Sequence, residues 1–196
     1  MNTIEVIISS LSTIKDYIRW AASRFTEAGL CFGHGTTNSL DEAAALVLHT
    51  INQPYELPAH YFDATLTPDE RRRLVDVIER RIGERKPVAY LTHQAMFAGL
   101  PFYVDERVLV PRSPIAELIE HRFQPWIDPN RVTRVLDLCT GSGCMAIACA
   151  YAFPEAEVDA ADISDDALEV ARINIHRHGV SDQVRPIKSD LFKALK

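Results

Sequence analysis

Apolar residues recur at helical spacing through Ile4, Ile7, Ile8, Leu11, Ile14, Ile18 and Ala22, and predict one long helix over Thr3–Ala28 with Gly29 as its stop. Cys31–Asn38 is a glycine-rich loop, and its His34 reads as a surface residue. Ser39-Leu40-Asp41-Glu42 has the form of a capping box and predicts a second helix to about Ile51. Pro54 and Pro58 bracket a turn. Thr67-Pro68-Asp69-Glu70 opens a third helix to about Ile82, with Leu74, Val77, Ile78 and Ile82 toward a core. Along it Arg71, Arg72, Arg73, Arg80 and Arg81 interleave with Asp69, Glu70, Asp76, Glu79 and Glu84, the pattern of a solvated face with local ion pairs. Residues 1–86 thus read as an α-helical domain.

The pattern then changes. Pro87 starts a connector over 87–130 with a short helical turn, Val88–Leu91. Ala95–Ala98 and Phe102–Val104 predict a β-hairpin about Gly99-Leu100-Pro101. In Pro111-Arg112-Ser113-Pro114, Ser113 can cap and Pro114 can open a helix to about Phe123. From 131 to 196 strands and helices alternate: strand Val135–Leu138, helix Cys144–Ala152 stopped by Pro154, and strand Val158–Ala161. A helix capped by Ser164 and stopped by Gly179 follows, then strand Val184–Ile187. His176 and His178, at that helix's end, read as solvated. The fold class is α/β: an N-terminal α-helical domain and the first half of a Rossmann-like domain, joined by a β-hairpin.

The chemistry concentrates between the first two strands of this last part. Thr140-Gly141-Ser142-Gly143 is a tight turn between strand and helix. Its glycines let the backbone turn sharply and approach a ligand closely, and the helix N-terminus aims free N–H groups there. Asp162, about twenty residues on, ends the next strand, where a carboxylate accepts hydrogen bonds from a ribose. Gly141-Ser142-Gly143-Cys144-Met145-Ala146 also fits a dinucleotide fingerprint, so this pattern alone allows NAD. Asp137, just before the turn, favours another ligand. A carboxylate there repels a pyrophosphate and suits a phosphate-free nucleoside with a cationic end, which describes S-adenosylmethionine. A turn whose glycines serve only packing is the plainer alternative.

Two stretches carry a resemblance. Asp137-Leu138-Cys139-Thr140-Gly141-Ser142-Gly143, followed by Asp162, Ser164, Ala167, Leu168, Ala171 and Asn174 in a D-x-S-x-x-A-L-x-x-A-x-x-N pattern, resembles the class I methyltransferases. Phe97–Ile119, with Pro111-Arg112-Ser113-Pro114, is similar to the protein-glutamine methyltransferases, in particular the branch acting on a ribosomal protein of the large subunit. The resemblance runs from roughly Pro87 to Leu191 and loosely over the N-terminal helices. It implies methylation of a glutamine side-chain amide, with S-adenosylmethionine as donor. It places Asp137, Cys139, Thr140, Gly141, Ser142, Gly143, Asp162, Ile163, Asp190 and Leu191 around the cofactor. Asp190 would accept from the adenine amino group; a cap of the next helix is its other reading. Pro111 and Arg112 would line the substrate side, an ion pair of Arg112 with Glu117 or Glu120 being the alternative. The family's catalytic Asn-Pro-Pro-Tyr is not among these residues, and Asp128-Pro129-Asn130 precedes the first strand of the cofactor fold. The resemblance therefore implies the N-terminal portion of a longer enzyme, holding the donor half of the reaction and no catalytic residue of its own.

Composition narrows the classes further. The 196 residues carry a formal net charge of −6, which argues against non-specific nucleic-acid binding and accords with a basic protein partner. No apolar stretch is long enough for a membrane span, and Glu5 interrupts the first apolar run, unlike a signal peptide. Cys31, Cys139, Cys144 and Cys149 form no C-x-x-C pair, so neither a zinc site nor a disulfide framework is indicated. They read as small buried residues of a cytoplasmic protein. A three-stranded half-sheet would leave an edge through which copies could associate. A nucleic-acid amino methyltransferase and a non-catalytic binding protein that retains the cofactor fold are the competing functions.

Overall fold

The computed structural model describes residues 3–33 and 35–195. His34 lies outside the described residues. The chain folds into two compact units, Met1–Thr92 and His93–Lys196.

The first unit is helical. The apolar stripe expected to form one helix forms two, α1 (Thr3–Ser10) and α2 (Ile14–Glu27). The break is a capping box: Thr13 Oγ1 accepts from the Asp16 N–H (3.3 Å), and Asp16 accepts in return from the Thr13 N–H (2.9 Å). Thr13 also makes a β-bridge with Thr65, which a continuous helix could not do. Helix α3 (Ser39–Thr50) starts one residue earlier than its sequence suggests. Asn38 is the cap, accepting from the Asp41 N–H at 2.9 Å, so Glu42 is free for other work. Helix α4 (Pro68–Glu84) has the expected Thr67–Glu70 box and ends where Arg85 turns left-handed. A short α5 (Val88–Thr92) completes the unit. Tyr17, Phe25, Leu46, Leu74 and Ile78 fill its core.

The arginines of α4 do not all lie on a solvated face. Arg81 is buried, and its Nε donates to the buried Glu42 carboxylate at 2.7 Å. The other Glu42 oxygen accepts from Thr36, and Arg81 also donates to the Cys31 carbonyl and lies over the Phe25 ring. A guanidinium in the core is tolerated because these partners occupy its fork. Arg71 is half-buried and closes the Leu66 and Ile8 carbonyls.

The second unit opens with the hairpin. Strands β1 (Ala95–Phe97) and β2 (Leu100–Phe102) pair antiparallel, with Phe97 opposite Leu100. The turn is Ala98-Gly99, both at positive φ, as a two-residue hairpin requires, so Leu100 and Pro101 belong to a strand rather than the turn. Helix α6 (Ile115–Glu120) is shorter than expected: Arg122 and Phe123 adopt positive φ and end it. Strands β3 (Arg134–Leu138), β4 (Glu157–Asp162) and β5 (Val184–Lys188) form a parallel sheet in that order. Helices α7 (Cys144–Ala152) and α8 (Asp165–Arg177) cross over between them and touch each other, so they share one face of the sheet. In α7 six of the nine residues are buried, and Ala146, Ile147, Ala148 and Cys149 pack on Val158, Ala160 and Val184. On the opposite face Asp159 of β4 accepts from Arg134 of β3 (3.2 Å) and Arg185 of β5 (3.0 Å).

Two of the four cysteines are not buried. Cys31 and Cys139 are exposed because each lies in a loop, whereas burial in α7 pushes the Cys144 thiol up to about 11 and Cys149 to about 12. His178 is not simply solvated either: its Nε2 sits 2.9 Å from the Pro101 carbonyl, its ring packs on Phe102, and Tyr151 lies beside it.

Candidate functional site

The turn after β3 is held from three sides. Cys139 begins it at φ +61°, a left-handed conformation unusual for a residue with a Cβ. Thr140 then donates its N–H to the Ala161 carbonyl of β4 at 3.0 Å. Gly141 (φ +56°) donates to Asp162 Oδ2 at 2.9 Å, while Asp162 Oδ1 accepts from the Ser164 N–H at 3.0 Å. Asp162 therefore fastens the glycine turn and the start of α8 at once. Each of its oxygens keeps a lone pair for a further donor, and the residue is half-buried.

The two glycines face different surroundings. A side chain at Gly141 would meet nothing within 4 Å, so its backbone borders open space. At Gly143 (φ +79°) a Cβ would come within 3.3 Å of Ala171 Cβ on α8. Gly141 thus leaves open space beside the turn, and Gly143 lets the helix behind approach closely. The first-turn N–H groups of Cys144 and Met145 donate to no backbone carbonyl among the described residues, the Thr140 carbonyl being taken by Gly143.

Asp137 lies under this turn. Its Oδ2 accepts from the Thr140 hydroxyl (2.6 Å) and from the Ala146 N–H (3.1 Å). Its other oxygen accepts no hydrogen bond among the described residues. Burial raises its pKa above the ordinary carboxylate range, Asp162 adds to the rise, and the two donors oppose it. The charged form is thus incompletely compensated, which is the electrostatic condition for attracting a cation. The sign follows from the raised pKa: stability is full below the ordinary carboxylate pKa and declines as pH rises through the folded-state value. Asp137→Asn, which retains the acceptor oxygen, should flatten that decline, seen as a smaller loss of melting temperature between pH 4 and pH 8.

At the far end of β5, Ser189 rather than Asp190 organises the turn. Ser189 donates its N–H to the Asp162 carbonyl, and its hydroxyl accepts from Ala194 N–H and donates to the Leu191 carbonyl. Asp190 is exposed and pairs with Lys193. Ile163 and Leu191, each following an acid at a strand end, expose apolar side chains.

The segment leading to Pro111 and Arg112 is fastened to α8. Arg107 grips Asp105 through Nε and Nη2 and reaches Glu169 of α8 at 2.8 Å. That guanidinium, with the Tyr103 hydroxyl, holds the Asp105 carboxyl down at about 2. Arg177 of α8 lies over the Tyr103 ring. Pro111 is buried and Arg112 exposed, with no ion pair to Glu117 or Glu120 among the described residues. Sequence reasoning placed Asn174 only within a motif. It is fully buried, and its amide joins Tyr103 to Ser142. Among the described residues no group of three or more His, Cys, Asp or Glu side chains is placed to hold a metal ion, and no helix is long and apolar enough to cross a membrane.

Residues 122–196 match the family described as "Methyltransferase small domain". A protein of Neisseria meningitidis serogroup A named "Ribosomal protein uL3 glutamine methyltransferase" is 53% identical over 187 residues, 95% of this chain. A protein of the same name from Neisseria gonorrhoeae is likewise 53% identical over 95% of the chain. The chain is similar to the protein-glutamine methyltransferases. It spans 62% of the length of these relatives. The similarity to these methyltransferases takes in both units, the helical one and the α/β one. Among solved structures, the N-terminal domain of human METTL16 in complex with SAH overlaps 78% of this chain and 58% of its own at a TM-score of 0.40 and 18% identity.

Proposed function

We propose that this chain is the cofactor-holding and substrate-recognising portion of a methyltransferase that transfers a methyl group from S-adenosylmethionine to a glutamine side chain of a large-subunit ribosomal protein. The observation that carries the donor half is the glycine turn between two acids: a backbone open at Gly141, with Asp137 beneath it and Asp162 across it. The names of relatives 53% identical over nearly the whole chain support the acceptor half.

The residues present fit that cofactor. Asp162 retains acceptor capacity for the ribose hydroxyls. Asp137 supplies a poorly compensated negative charge toward the amino-acid end, with the Cys144 and Met145 N–H groups near its carboxylate. Asp190, Ile163 and Leu191 lie at the strand ends where the adenine would rest, the two apolar side chains against its faces. When bound, S-adenosylmethionine supplies a methyl group on a sulfonium, activated for in-line displacement. The residues of this chain hold that methyl in a fixed place, because an amide nitrogen is a weak nucleophile whose reaction depends on alignment. Pro111 and Arg112 are placed on the substrate side in this reading, and the helical unit reads the protein substrate.

Calorimetric titration of the chain with S-adenosylhomocysteine, with NADH as comparator, tests the donor site. We expect binding of the first and none of the second. NADH binding without S-adenosylhomocysteine binding would overturn the reading.

A further inference from the structure

Asparagine is a poor helix former, because its side chain competes for backbone hydrogen bonds. Asn174 nevertheless stands inside α8, fully buried. Its Oδ1 accepts from the Tyr103 N–H at 2.7 Å. Its Nδ2 donates to the Tyr103 carbonyl at 2.9 Å and to the Ser142 carbonyl at 2.8 Å. Both N–H groups of the amide are therefore used, and Tyr103 is gripped at both its backbone groups as a neighbouring strand would grip it.

The bond to Ser142 bears directly on the glycine turn. The Ser142–Gly143 peptide is held at its carbonyl by Asn174 and at its N–H by the Thr140 carbonyl, 2.9 Å away. The peptide plane cannot rotate without breaking one of the two. The same side chain fixes the segment that continues through Asp105 and Arg107 to Pro111 and Arg112. No other residue type offers this set: aspartate lacks the two donors, serine has one, and leucine has none.

We infer that Asn174 is a positioning residue, one that sets the glycine turn and the Tyr103 segment at a fixed spacing so that the donor pocket is formed before the ligand arrives. This rests on the reading of the turn as the S-adenosylmethionine site. The expected consequence is that the site binds without first having to order the turn.

Two variants of the 196-residue chain, Asn174→Ala and Asn174→Asp, test it. Asn174→Asp has the same shape and keeps one acceptor, so it decides the question if Asn174→Ala does not fold. With native far-UV circular dichroism, each should bind S-adenosylhomocysteine at least about tenfold more weakly than wild type. Amide exchange should speed up in peptides covering 140–147 and 102–105 and stay unchanged over 157–162. A role in stability alone would lower the melting temperature and leave the affinity of the folded protein where it was. Folded variants binding within twofold of wild type would overturn the inference. If wild type itself does not bind, the methyltransferase reading is what fails; unchanged exchange in both segments would then sink the positioning role as well, and faster exchange would sustain it for the turn.

Discussion

Arg81→Ala should destabilise the helical unit by about 3–5 kcal/mol, the cost of leaving a buried carboxylate without its counter-charge. Glu42 lies in the core, and of its two oxygens one would keep only Thr36 while the other would lose the guanidinium at 2.7 Å. The substitution also removes the donor to the Cys31 carbonyl and the packing over Phe25. Against a typical whole-domain stability of about 5–15 kcal/mol this is a large fraction. Urea denaturation followed by helical circular dichroism should show the midpoint fall, with faster amide exchange over α2, α3 and α4. The double variant Glu42→Leu with Arg81→Met should recover much of the loss, because it removes both charges and keeps apolar volume. A double variant as unstable as Arg81→Ala would mean that the cost lies in the Cys31 and Phe25 contacts instead.

Gly143→Ala should cost about 1–3 kcal/mol and abolish detectable binding of S-adenosylhomocysteine. Two independent costs add at this position. The backbone is left-handed at φ +79°, and the new methyl would press on Ala171 at 3.3 Å, with the α8 backbone at 3.4 Å behind it. A methyl facing a helix has nowhere to swing, so the turn itself must move. Gly141→Ala is the control. It shares the left-handed backbone at φ +56° but has open space around it. Gly141→Ala should therefore destabilise less, while still weakening ligand binding by occupying the open side. Melting temperatures separate the two packing costs, and calorimetry reads the binding. Equal melting temperatures for the two variants would show that the approach of α8 does not matter.

The glycine turn, its flanking acids and the β3–α7–β4 alternation were legible in the sequence because each is encoded locally, by residues within one crossover. Helix caps adjacent in sequence, such as Thr67–Glu70, could be read for the same reason. What could not be read depends on partners far along the chain. The burial of Arg81 is set by Glu42, 39 residues away, and nothing in the charge pattern of α4 distinguishes it from its solvated neighbours. Asn174 meets Tyr103 across 71 positions. The break between α1 and α2 was written locally, in Thr13 and Asp16, but an unbroken apolar stripe on both sides concealed it. An apolar period reports which face is buried and says little about where the helix stops and restarts.

Asp159 has a consequence for how the sheet finds its pairing. One carboxylate on the central strand binds an arginine on each neighbour, Arg185 directly opposite and Arg134 on the diagonal, so all three strands are keyed to Asp159. Each exposed ion pair contributes little by itself. Side chains alternate between faces, so shifting β4 by one residue would turn Asp159 toward α7 and α8 and leave Arg134 and Arg185 facing each other with nothing negative between them. The triad then works less as a source of stability than as a key against misalignment, penalising the wrong registers more than it favours the right one.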